Sequence, residues 1–203
     1  MLWHSYDRAA DFLDAARLLF ERAAPNQMPL GIAEGVLTGA PGPAVVTRMA
    51  VWVPHTVDPG PTPAGFPRVA TPNDAPPLQR WALAFRDEAV PADPPPTQLA
   101  GIRYGGTGRA WVWQVDDTPV AFANFPREVG GYWSIGPVYT PPAHRGRGYA
   151  TALVAHMSSH ALAQGRRGCT LFTDLNNPWS NAIYARIGSQ REALFTRLAW
   201  AIP

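Results

Sequence analysis

The sequence predicts a mixed α/β fold: a central sheet of parallel and antiparallel strands flanked by helices, with a helical and β extension at the N-terminus. Three observations lead there. Residues 109–140 hold three strand-like segments in succession, separated by Asp116-Asp117 and by a loop containing Gly130-Gly131. A strand, a long apolar helix and another strand then follow between 132 and 174, the order of a βαβ unit with a right-handed crossover and parallel strands. Finally, Pro59–Pro67 carries four prolines and two glycines, the composition of a linker or long loop.

Along the chain, residues 7–22 read as a helix, since Phe12, Ala15, Ala16, Leu19 and Phe20 recur at three- and four-residue spacing. A shorter helix is expected near 30–37, and 44–53 is a β-rich run ended by Pro54. A boundary is placed near residue 66, giving an N-terminal accessory subdomain (1–66) and a main domain (67–203). The main domain opens with a short strand at 68–71. The helix after it has Asn73 or Asp74 as cap, Pro76 and Pro77 in its first turn, and one apolar stripe of Leu78, Trp81, Ala82, Phe85 and Ala89. Prolines at 91–96 end it. Strands at 109–115, 119–125 and 132–140 come next, then a helix at 147–164 whose Ala150, Leu153, Val154, Met157 and Ala161 face inward. A strand at 169–174, a helix at 179–187 and a β-rich stretch at 190–201 complete the order.

Composition excludes several classes. At 46% hydrophobic and 16% charged, the 203-residue chain is neither disordered nor too small for a core. Its apolar runs are far too short to span a membrane. Asp7, Asp11 and Asp14 do not suit a secretory leader, so a cytoplasmic location is expected. One cysteine, Cys169, leaves no disulfide framework or thiolate cluster. His156 and His160 lie one helical turn apart but lack a third ligand in view, and no metal is expected. The charge is uneven: residues 1–100 have 7 Arg against 10 Asp and Glu, residues 101–203 have 10 Arg against 5. A basic half suits a polyanionic partner or a phosphate-bearing cofactor.

The segment Arg145-Gly146-Arg147-Gly148-Tyr149-Ala150-Thr151 joins the strand at 132–140 to the helix of the βαβ unit. Small residues there let backbone amides approach a ligand, and the helix N-terminus favours an anion. Arg145 and Arg147 add donors that match phosphate oxygens, so a pyrophosphate is the natural occupant. A tight turn with no ligand is the competing reading. The spacing is not that of a dinucleotide fold, because position 151 is Thr, and the absence of lysine removes a Walker-type loop.

Arg145–Ala150 resembles the Gln/Arg-x-x-Gly-x-Gly/Ala signature of the GCN5-related N-acetyltransferases. The run Asp174-Leu175-Asn176-Asn177-Pro178-Trp179-Ser180-Asn181-Ala182-Ile183-Tyr184 is similar to a second block of that family, in the manner of its FR47-like branch. The resemblance covers about residues 108–188. It implies an acyl-CoA N-acyltransferase fold and transfer of an acetyl group from acetyl-CoA, the co-substrate, to a primary amine by direct attack in a ternary complex. It further implies that Val138, Tyr139 and Thr140 offer backbone groups to the pantetheine arm, in a gap between two splayed parallel strands. Pro137, inside the expected strand, independently predicts a break there. Arg145, Gly146, Gly148 and Ala150, with Arg147, Tyr149 and Thr151 in the same turn, are matched to the cofactor phosphates. Asn177, Ser180 and Asn181 are matched to its pantetheine side, although Asn177 and Ser180 equally suit a helix opening. Tyr184 takes the place of the general acid.

No carboxylate lies in 132–140, where many relatives have their base. Asp174, Ser134 through a water, and Glu128 are the remaining candidates. The acceptor is a small-molecule or peptide amine, with no nucleic acid or membrane partner, and the protein is a monomer or homodimer. Two other readings stay open: an acyl-CoA sensor with weak turnover, and a nucleic-acid surface through the basic half with Trp111 and Trp113 as stacking groups.

Overall fold

The computed structural model describes residues 44–54, 56–91 and 108–199. The helices expected at 7–22 and 30–37, and residues 92–107, lie outside them. The elements are β1 (Ala44–Pro54), β2 (Phe66–Val69), α1 (Ala75–Ala89), β3 (Ala110–Val115), β4 (Thr118–Asn124), β5 (Arg127–Val129), β6 (Tyr132–Ile135), β7 (Val138–Tyr139), α2 (Tyr149–Ala163), β8 (Gly168–Asp174), α3 (Pro178–Arg186) and β9 (Ser189–Ala199). Among the described residues no helix is long and apolar enough to cross a membrane.

The strands form two adjoining sheets, ordered β2-β3-β4-β7 and β5-β6-β8-β1-β9. All pairings are antiparallel except β6 with β8, which run parallel from Tyr132–Gly168 to Ile135–Leu171. The parallel pair is the one expected of a βαβ crossover. The stretch 132–140, expected as one strand, is two. Its first half pairs with β8 and its second with β4, and Gly136-Pro137 lies between them. The cause is local: Pro137 has no N–H to give, while the Gly136 N–H turns to the Asn124 carbonyl at 2.9 Å. Residues 127–129, read as part of a loop, form a hairpin with β6 through the Gly130-Gly131 turn.

β1 lies on the N-terminal side of the boundary expected near residue 66, yet it is an interior strand of the second sheet. It pairs with β8 through residues 49–52 and with β9 along its whole length. Ala50 and Val51, which point to opposite faces, are both buried, as is Val53, so both faces of the strand are covered.

Helices cover opposite faces. α1 buries Leu78 and Ala82 against Val112, Phe122 and Tyr139, with Trp81 and Phe85 packed on the same cluster. α2 sends Leu153, Val154, Met157 and Ala161, none of them exposed, against Trp111, Trp113, Ala121, Ala123, Cys169 and Leu171. Both Trp111 and Trp113 are therefore core, with Val112 facing the other way. Burial pushes the Cys169 thiol up to about 12, so it stays protonated and inert at neutral pH.

Asp74 precedes α1, but its carboxylate does not cap that helix. It turns back to accept the Thr71 N–H and hydroxyl at 2.7 and 2.9 Å and a two-pronged Arg68 guanidinium at 2.7 and 2.8 Å. The Arg68 partner, chiefly, holds this buried carboxyl at about 2, below the usual 3.8. A depressed carboxylate stabilises the fold above its unfolded value, and that contribution disappears as pH falls through its folded one. Asp74→Asn is expected to cost on the order of 2 kcal/mol at neutral pH. In denaturant titrations the gap to wild type should close between about pH 4 and pH 2; a gap constant over that window would refute the assignment.

Candidate active site

β6 and β8 are bonded as far as Ile135 and Leu171; beyond that point β7 belongs to β4, and β8 continues with β1. Two parallel strands thus part company at their C-terminal ends. Most of the residues singled out in sequence flank this opening: Val138 and Tyr139 on β7, Thr140 after it, 145–151 at the entry to α2, Asp174 at the end of β8, and Asn177, Ser180, Asn181 and Tyr184 on or before α3.

The entry to α2 is built on two left-handed glycines, Gly146 at φ 75° and Gly148 at φ 81°, the latter being the N-cap. A β-carbon at either would meet no atom within 4 Å, so the requirement is conformational and the space beside them is open. The first hydrogen bond of the helix runs from the Ala152 N–H to the Gly148 carbonyl. The amides of Tyr149, Ala150 and Thr151 therefore have no intrahelical acceptor. Arg147 is exposed, Tyr149 buried, and Ala150 and Thr151 half-buried.

Thr140 Oγ1 is buried with no hydrogen-bond partner. Alternation places Thr140 with Val138 on the α2 side of β7, opposite Tyr139. Arg145 folds back over the end of β7: its Nε donates to the Thr140 carbonyl at 2.9 Å, its Nη2 to Glu88 Oε2 at 2.6 Å, and its guanidinium lies over the Tyr139 ring. The Tyr139 hydroxyl donates to the other Glu88 oxygen at 2.7 Å. That hydroxyl bond, with Arg145, lowers the Glu88 carboxyl below the usual range, whereas burial and then Glu88 raise the Tyr139 phenol. Sequence reasoning missed Glu88. It sits at the C-terminal end of an amphipathic helix, 57 residues from Arg145, and reads there as an ordinary solvated charge.

On the other bank, Asn177 caps α3, its Oδ1 accepting the Ser180 N–H at 3.1 Å. Asn181 ties down the preceding turn: its Nδ2 donates to the Asp174 and Leu175 carbonyls, and its Oδ1 accepts from the Thr173 hydroxyl at 2.6 Å. Thr173 in turn accepts from Trp52 Nε1 at 2.9 Å, so β1 helps to hold the loop. Asp174 Oδ1 accepts the Asn176 N–H at 2.8 Å and closes the same turn.

Tyr184 is buried in the same core cluster as α2, with the Trp52 ring 6.4 Å away. Burial drives its phenol well above the ordinary value. Ser134 lies on the opposite sheet face from α2, buried, bonded to Thr170 Oγ1 at 3.1 Å and accepting from Arg127 Nε at 3.2 Å. Glu128 also serves structure, accepting from Trp133 Nε1 and pairing with Arg166 at 3.3 Å. His156 and His160 pack against the Trp111 ring, 5.0 and 4.9 Å between centroids. Among the described residues no group of three or more His, Cys, Asp or Glu is disposed to hold a metal ion.

A model of the acetyltransferase (GNAT) family matches residues 75–188, more than half of the chain. Several solved structures share the fold. An acetyltransferase of this family from Colwellia psychrerythraea superposes with a TM-score of 0.59 at 15% identity, over 86% of this chain and 63% of that one. A GCN5-related N-acetyltransferase from Kribbella flavida gives 0.57 at 20% identity, over 87% and 65%. A GNAT-family protein from Novosphingobium aromaticivorans gives 0.57 at 22%, over 80% and 69%. The chain thus spans about two thirds of the length of these proteins, and at such identities the likeness is one of fold. No functionally curated protein matches it. A split parallel pair beside a glycine-built helix entry, in a chain that the family model covers over more than half its length, leads to one assignment: this chain belongs to the GNAT family of acetyltransferases.

Proposed function

We propose that this chain transfers an acetyl group from acetyl-CoA to a primary amine on a small molecule or peptide, by direct attack in a ternary complex. The observation that supports this reading best is the departure of β7 from β8, which opens a gap beside the first turn of α2. Bound acetyl-CoA supplies the acetyl group as an activated thioester. The residues present suit it: open space at Gly146 and Gly148, unpaired first-turn amides, and a buried Thr140 hydroxyl whose partner the fold does not provide.

In this reading Val138, Tyr139 and Thr140 hold the pantetheine arm through their backbone, and the amides of 146–151 hold the pyrophosphate. Arg145 contributes from its Glu88-tethered position, and Arg147 from solvent. Asn177, Ser180 and Asn181 shape the far bank; the Oδ1 of Asn177 is committed to its cap, which leaves its Nδ2 for the arm. Tyr184 is the general acid. Burial raises its pKa, so its Oη still carries a proton at the pH where an acceptor amine of pKa near ~8 loses its own. Of the candidate bases, Asp174 uses its Oδ1 to close its own turn, and Ser134 Oγ is held by Thr170 and Arg127. Positioning, rather than strong base catalysis, is then the main contribution, and it suits an acceptor amine of pKa near ~8.

Acetyl-CoA should raise the melting temperature, oligonucleotides should not, and thiol release should depend on an added amine. Stabilisation by acetyl-CoA without amine-dependent thiol release would favour a sensor over an enzyme.

A further inference from the structure

The sheet face opposite α2 contains a second set of polar groups around the same opening. Leu171 and Cys169 face α2, so alternation turns Thr170 and Phe172 the other way, together with Ser134 on β6 and Arg127 on β5. Phe172 is the first residue of β8 beyond its last partner on β6, hence at the point where the strands part. The Arg127 guanidinium lies 5.3 Å from the Phe172 ring centroid, and its Nε donates to Ser134 Oγ. Ser134 is itself fixed by Thr170. The side chain is therefore positioned from two strands, while its two terminal NH2 groups have no hydrogen-bond or ion-pair partner among the described residues.

Across the opening, Asn124 ends β4 on the same face, since Phe122 two residues earlier packs away from α2. Asn124 is 3% exposed, and its Oδ1 has no hydrogen-bond partner. Its backbone carbonyl holds the Gly136 N–H at the break, and beside Gly136 a β-carbon would meet nothing within 4 Å. The break at Gly136 thus has an unpaired acceptor, Asn124 Oδ1, on one side and the exposed Arg127 guanidinium, fixed through its Nε, on the other.

Resting on the acetyl-transfer reading, we infer that this face receives the acceptor and that the acceptor is an amine bearing a carboxylate, an amino acid or a peptide end. Arg127 pairs with the carboxylate and Asn124 Oδ1 accepts from the amine side. A planar fork with one positive charge matches a carboxylate in both geometry and charge. The steered nitrogen then enters from the face opposite the cofactor phosphates, so the two substrates do not compete for space. Arg127 is a specificity residue and takes no part in proton transfer.

The test compares α-amino acids with their primary carboxamides in a thiol-release assay on the full chain, with acetyl-CoA binding measured separately by calorimetry. Wild type is expected to favour the acids by at least about tenfold in kcat/KM, corrected for amine ionisation. Arg127→Met should abolish that preference through KM, and Arg127→Lys should retain part of it. Asn124→Ala should weaken acids and amides alike. Equal use of acids and amides by wild type, or an equal loss of both in Arg127→Met, would overturn the inference while leaving acetyl transfer intact. Absence of acetyl-CoA binding, or of any amine-dependent thiol release, would overturn the proposed function and this inference with it.

Discussion

Tyr184→Phe is expected to lower turnover by about 10²-fold or more while acetyl-CoA affinity stays within about twofold of wild type. The substitution removes one oxygen from a buried ring whose place in the α2 core cluster and packing against Trp52 it otherwise keeps, so folding and binding change little. What it removes is the proton at Oη. A phenol that remains protonated can give its proton to the thiolate, of pKa near ~8.5, as the C–S bond breaks, although a raised pKa makes it a weaker acid. Because burial moves the Tyr184 pKa upward, the acid form persists to higher pH than a free tyrosine would allow. The sign of the pH dependence follows. Turnover should rise as the acceptor amine loses its proton and should show no falling limb below about pH 10 from this residue. Pre-steady-state thiol release in Tyr184→Phe checks the first claim, and a pH profile of wild type checks the second. Turnover unchanged in the variant would remove Tyr184 from the mechanism.

The parts of this site legible in sequence are those set by neighbours in the chain. The glycines at 146 and 148 adopt left-handed backbone that other residues avoid, so their spacing carries its meaning without the fold. Pro137 announces the break in its strand for the same reason: a missing donor is a local fact. The cap at Asn177 follows from Asn-Pro and a helical run. Long-range pairing was not legible. The run at 44–53 reads as a strand, but nothing in it specifies β8 and β9 as partners more than a hundred residues away. That choice is made by burial of Ala50 and Val51 on a surface assembled from both ends of the chain. Glu88 and Arg127 failed for a related reason. An arginine next to a turn and a glutamate near a helix end look solvated until the topology brings Tyr139 and Arg145 to one and Phe172 and Ser134 to the other. Asp74 shows the opposite error, in which a good cap residue is claimed by a stronger local partner, Arg68.

Gly148→Asp is expected to weaken acetyl-CoA binding by about 10²- to 10³-fold, with Gly148→Asn as the control. The space around a β-carbon at this position holds no protein atom within 4 Å, so neither side chain clashes with the fold. Both replacements incur the strain of a left-handed backbone, roughly 1–2 kcal/mol for an ordinary residue and less for Asn or Asp, which visit that region more readily. They differ in one charge at the N-cap of α2. In the free protein that charge is favourable, by about 0.3–1 kcal/mol, because it faces the positive end of the helix dipole. In the proposed complex with acetyl-CoA it occupies the place given to the pyrophosphate and repels it. Gly148→Asp should therefore melt at or above the temperature of Gly148→Asn while binding acetyl-CoA far more weakly. A destabilised helix entry would lower stability and affinity together, so only an anion site at the α2 N-terminus produces this opposition. Equal acetyl-CoA affinity in the two variants, measured by calorimetry at low and moderate salt, would place the phosphates elsewhere.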